Sequence, residues 1–87
     1  MPRTATSDLM ARIIGREIRQ ARAAAGLTQA EVAERLGASA SYITNIEAGR
    51  VNLTLGQLSR IAAAMGADVR LSLPLIAVEP ARVVELA

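Results

Sequence analysis

Glycine punctuates this chain. Gly26, Gly37, Gly49 and Gly66 each close a stretch in which apolar residues recur every three or four positions. That spacing lines one face of a helix with apolar side chains, and a glycine just past the last periodic residue is a common helix stop. The stretches between stops are short. None approaches the ~20 apolar residues that span a bilayer. The most apolar run, Leu73 to Val78, is short and contains Pro74. Up to Gly66 such a pattern reads as a bundle of short helices joined by sharp turns.

The first seven residues lack periodicity and read as a flexible arm, with Ser7 or Asp8 as helix cap. Met10, Ile14, Ile18, Ala21 and Ala25 then form an apolar stripe, with Ile13 beside it. Arg12, Arg16 and Arg19 fall on the opposite face, and a solvated face explains them more simply than a ligand-binding patch. Arg22 sits at the stripe's edge. Thr28 and Glu31 have the spacing of a capping box, followed by Val32, Ala33 and Leu36. Ser39 or Ser41 opens a third helix carrying Ile43 and Ile46. Thr54 opens a fourth, with Leu55, Leu58, Ile61, Ala62 and Met65. These stripes, Met10 and Met65 included, are assigned to the core. Residues 8–67 thus read as one helical domain.

The period changes after Gly66. Val69, Leu71, Leu73 and Leu75 alternate with Asp68, Arg70, Ser72 and Pro74, which predicts a half-buried strand. The helical domain offers no second strand. The simplest partner is the same segment of a second copy, paired antiparallel about a two-fold axis, so residues 68–87 are read as a strand and tail for dimerisation. Residues 77–87 fit a helical turn, a second strand or a frayed tail equally.

The chain has no His, no Cys and one aromatic residue, Tyr42. An ordinary zinc site, a cysteine nucleophile and a Ser-His triad are therefore absent, and the chain reads as neither an enzyme nor a cofactor protein. Without disulfides or an apolar N-terminal segment, the expected location is the cytoplasm. The net charge is only +2, but its distribution is uneven. Residues 1–30 carry five arginines against Asp8 and Glu17, and the rest is nearly balanced. A basic N-terminal part suits an anionic partner.

Two short helices around the turn Gly37-Ala38-Ser39 form a helix-turn-helix candidate. The second carries Ser39, Ser41, Tyr42, Thr44 and Asn45, whose hydroxyls and amide suit base edges and phosphates. Helix starts at Thr28 and Ser39 offer backbone N–H groups to phosphate oxygens.

Three stretches carry a family resemblance: Gly26-Leu-Thr-Gln-Ala-Glu-Val-Ala-Glu-Arg-Leu-Gly37, Ser41-Tyr-Ile-Thr-Asn-Ile-Glu-Ala-Gly-Arg50, and Leu55-Gly-Gln-Leu-Ser-Arg-Ile-Ala62 with Met65-Gly66. Together they strongly resemble the phage-repressor and Cro-like (XRE) helix-turn-helix family over residues 9–67. The resemblance implies a mainly α, lambda-repressor-like domain of four to five helices, here with one C-terminal β-strand, usually dimeric on palindromic operators. It implies that Gln29 contacts phosphate and that Ser39, Ala40, Ser41 and Asn45 face bases. Tyr42 and Thr44 match positions nearer the DNA backbone, Arg50 a loop cation at the phosphates, and Arg22 with Glu47 a structural ion pair. Ala40 stands where many members have Gln, so direct readout is expected to be sparse and DNA shape to contribute more. The function implied is a homodimeric transcriptional regulator, a repressor acting by occupancy. Two alternatives share the fold: a HipB-like antitoxin that binds a toxin protein and represses its own operon, and a restriction–modification controller.

Overall fold

A computed structural model of the chain describes residues 5–70. It is mainly helical, with α1 (Ala5–Ala24), α2 (Gln29–Leu36), α3 (Ala40–Glu47) and α4 (Leu55–Ala64). Helix α2 packs on α3 and α4, and α1 packs on α3. Ile18, Val32, Ala33, Ile43, Ile46, Ile61 and Met65 meet in one core, flanked by Leu27, Leu36, Tyr42, Leu53 and Leu58. Each fully buried Ile or Val in that set contributes about 1.5–3 kcal/mol.

The local rules set these helices. Thr28 caps α2 by accepting the Glu31 N–H at 3.0 Å, while the Glu31 carboxylate accepts the Thr28 N–H at 3.0 Å. The Thr28 backbone N–H, and after it the Thr28 hydroxyl, hold the Glu31 carboxyl below its usual range. Thr54 and Gln57 repeat the box at α4. Of the two serines considered for α3, Ser39 is the cap. Beyond α3, Gly49 at φ +77° lets its own N–H reach the Ile46 carbonyl and the Arg50 N–H reach the Asn45 carbonyl. A Cβ there would also collide with Arg12, its Cα only 2.8 Å away, so both strain and space demand glycine.

Three expectations change. Helix α1 starts at Ala5, so residues 5–7 belong to the helix rather than to an arm. Alanine favours helix, and Asp8 lies in the first turn, where a negative charge suits the positive helix end. Met10 is 51% exposed and is not core; Ile13, Ala25 and Leu55 are also exposed. Ile14, Ile18 and Ala21 of the stripe pack on the core as expected, but the buried face also takes in Ala11 and Gly15 and so is rotated from the stripe. Gly15 explains the rotation. A Cβ there would overlap the Ile46 carbonyl oxygen and lie 2.9 Å from that of Glu47, so α1 meets the last turn of α3 backbone to backbone. Only a residue without a side chain at position 15 permits that approach.

The described residues contain four helices and not a fifth. Residues 67–70 have no regular secondary structure, and Leu71, Leu73 and Leu75 of the expected strand lie outside the described residues. No described helix is long and apolar enough to cross a membrane.

Candidate nucleic-acid interface

Helices α2 and α3 meet through the turn 37–39, where Gly37 takes φ +68°. Helix α3 divides by face. Ile43 and Ile46 are buried, Tyr42 is half-buried against the core, and Ala40, Ser41 and Thr44 are exposed. The outward positions therefore carry small, polar or hydroxyl groups.

Beneath this surface runs a hydrogen-bonded network from α1 to α3. Arg22 donates from Nε to Glu47 Oε2 at 2.6 Å and from Nη2 to Oε1 at 2.9 Å. Its third bond, from Nη1, goes to the Leu27 carbonyl at 2.9 Å. The side chains are 16% and 5% exposed. Burial pushes the Glu47 carboxyl up, but hydrogen bonds from Arg22 and Gln29, with the charges of Arg22 and Arg19, outweigh it and hold Glu47 below the usual carboxylate range. The bond to Glu47 raises Arg22 above its ordinary value, against the opposing effect of burial. The pair stays ionised across the neutral range, and its fork-to-fork geometry fixes both partners.

Gln29, the first residue of α2, continues the network. Its Nε2 donates to Glu47 Oε1 at 3.1 Å, and its Oε1 accepts from the Thr44 hydroxyl at 2.7 Å. The position expected to touch phosphate is thus tied to the ion pair below and to α3 beside it. Sequence reading missed both bonds. Their one sequence signal is Ala40, one turn before Thr44, which offers no polar side chain to compete for Gln29.

The remaining positions divide by what they already bond. Ser39 Oγ accepts the Tyr42 N–H at 3.3 Å and lies 3.1 Å from Ser41 Oγ, so Ser39 is first a cap. Thr28 spends its side chain on the capping box. Arg50 Nη1 donates to Asn45 Oδ1 at 3.3 Å, leaving the Asn45 amide N–H groups and further guanidinium donors for a ligand. Val69 is half-buried and lines a groove between α1 and α4 with Ile14, Ile18, Leu58 and Met65, apart from the α2–α3 surface. Arg35, unassigned by the sequence, donates from Nη1 to the Ala64 carbonyl at 2.8 Å and ties α2 to the end of α4.

A family model described as a helix-turn-helix domain matches residues 13–73. An uncharacterized HTH-type transcriptional regulator, y4dJ, of Sinorhizobium fredii (strain NBRC 101917 / NGR234) is 39% identical over 57 residues, covering 66% of this chain and 74% of that protein. No solved structure gives a significant match.

Proposed function

The chain belongs to the helix-turn-helix domain family, in its phage-repressor and Cro-like (XRE) branch, and from that premise we propose that it represses transcription as a homodimer on a palindromic operator. DNA binding and transcriptional regulation follow from the family and from the regulator it resembles. The observation that carries the reading is the division of α3: Ile43 and Ile46 anchor it, Arg22 and Glu47 fix its end, and Ser41, Thr44 and Asn45 remain toward the outer face. A rigid helix with small polar groups outward fits the major groove, with Gln29 and Arg50 at the flanking phosphates and Ser39, Ala40, Ser41 and Asn45 at the bases. Thr28, Tyr42 and Thr44 complete the surface nearer the backbone.

The homodimer rests on apolar surface left open in one copy. Leu9, Met10 and Ile13 are exposed, and the groove between α1 and α4 is lined by Ile14, Ile18, Leu58 and Met65. The segment after Val69 continues with Leu71, Leu73 and Leu75 in alternation. Pairing those segments antiparallel across a two-fold axis would hold two recognition helices about 34 Å apart, one turn of DNA.

Selection from random duplexes at low salt, followed by a salt titration, tests the reading. A palindromic sequence emerges, and its affinity falls steeply as salt rises, because phosphate contacts release counterions. Gln29→Ala weakens all duplexes alike, whereas Arg50→Ala weakens binding and also releases Asn45. Sedimentation gives a dimer for the intact chain and a folded monomer for Leu73→Glu. Absence of any preferred duplex overturns the DNA reading, and a dimer that survives Leu73→Glu moves the interface to the helices.

A further inference from the structure

We infer that Thr44 is the positioning residue for Gln29, and that the two act on the DNA backbone as one unit. The inference rests on the DNA-binding reading above and says which polar atoms remain for the ligand.

A glutamine amide has nearly the same shape in two orientations, related by a flip that exchanges oxygen and NH2. The orientations are opposite in chemistry. A phosphate oxygen only accepts, so it binds the nitrogen end and repels the oxygen end. At Gln29 two neighbours select the same orientation. The Glu47 carboxylate only accepts, and it holds Nε2 at 3.1 Å. The Thr44 hydroxyl donates to Oε1 at 2.7 Å. Glu47 cannot turn away, because Arg22 grips both of its oxygens. The amide is therefore pinned at both ends, with one N–H spent on Glu47 and one N–H left to donate.

Thr44 is committed by the same bonds. Its Oγ1 lies 2.7 Å from the Gln29 oxygen and 3.1 Å from the Ala40 carbonyl, both acceptors. A hydroxyl has one proton, and these acceptors take it. Toward DNA, Thr44 then presents lone pairs only and cannot donate to a phosphate. Ala40 makes the arrangement possible. One turn earlier on α3, it offers a methyl and no side-chain polar atom to compete for the Gln29 oxygen. The exposed hydroxyl at position 44 thus acts on phosphate through Gln29 and not by its own contact.

The test is a mutant cycle in the intact chain, read as affinity for the selected duplex and for an unrelated one across salt. Thr44→Val is expected to weaken both duplexes by the same factor, roughly three- to tenfold, the weight of one hydrogen bond. In a Gln29→Ala background the same change is expected to cost nothing further. Thr44→Ser restores the hydroxyl and the affinity, and the melting temperatures of Thr44→Val and Thr44→Ser stay near wild type because Thr44 is exposed. If Thr44→Val melts early, Thr44→Ala carries the cycle instead. An equal loss with and without Gln29 means that Thr44 touches DNA itself, and no loss in either background means that it positions nothing; each result overturns the proposal. Failure of the wild-type chain to bind any duplex rejects the DNA reading instead, and the proposal falls with it.

Discussion

Replacing Glu47 with alanine removes the acceptor on which three donors converge. Arg22 keeps only the Leu27 carbonyl, and Gln29 loses the partner of its amide nitrogen. Arg22 is 16% exposed, so its charge is neither fully buried nor well hydrated. Breaking a buried pair leaves an uncompensated charge at a cost of about 3–5 kcal/mol, and the remaining bond and partial exposure place Glu47→Ala near the lower end, about 3 kcal/mol. A domain of 87 residues has a total stability of roughly 4–13 kcal/mol. The variant should therefore lose between a quarter and most of it, and melt roughly 12–24 °C lower. Thermal unfolding followed by circular dichroism measures this directly. Glu47→Gln keeps one oxygen for Arg22 and should fall between variant and wild type. Arg22→Met combined with Glu47→Leu should recover part of the loss, because no lone charge remains. A Glu47→Ala melting temperature within about 4 °C of wild type would refute the reasoning, since it corresponds to less than 1 kcal/mol.

Gly15→Ala should destabilise by about 2–3 kcal/mol, because its Cβ meets the α3 backbone, which cannot swing aside as a side chain can; a melting temperature like wild type refutes the close approach. In acid, the stability contributed by Glu47 is complete above its unfolded pKa of about 4.3 and fades as pH falls through its lower folded value, so wild type loses stability there and Glu47→Gln shows a shallower acid limb in denaturant titrations. Because Arg50 holds the Asn45 oxygen, Asn45 offers donors and should face guanine, whose O6 and N7 accept. Arg50→Ala frees that oxygen and should shift the selected base toward adenine, which needs an amide donor and an acceptor together; the same base from both proteins counts against it.

The local part of this fold was legible because it is written locally. Thr28 with Glu31, Ser39, Thr54 and the glycine stops each act within five residues, and the helix limits at Gln29–Leu36 and Ala40–Glu47 follow from them. What the sequence hid depends on how the helices meet. Met10 and Ile14 share a stripe, yet Gly15 draws α1 against α3 on another face and leaves Met10 in solvent. Helix periodicity ranks apolar side chains and gives no weight to a residue that buries by lacking one. The bonds from Thr44 to Gln29 and from Arg35 to the end of α4 span 15 and 29 positions, and no spacing rule connects them. At the interface, composition suggested the types of contact, while the network decides which donors and acceptors are already spent.

The division of α3 bears on how such a regulator changes its target. Ala40 and Ser41 are exposed and form no part of the buried core, so altering them rewrites what the helix meets at little cost to folding. Thr44 and Gln29 are bound to each other, and through Glu47 to Arg22, so a change at either disturbs its neighbours. The surface thus contains variable letters beside a fixed clamp, and at Ala40 the variation that spares the clamp is apolar. A library randomised at Ser41, and at Ala40 among apolar residues only, should yield folded proteins with new operators, whereas one that includes Gln29 or Thr44 should be dominated by variants that hold DNA poorly whatever its sequence.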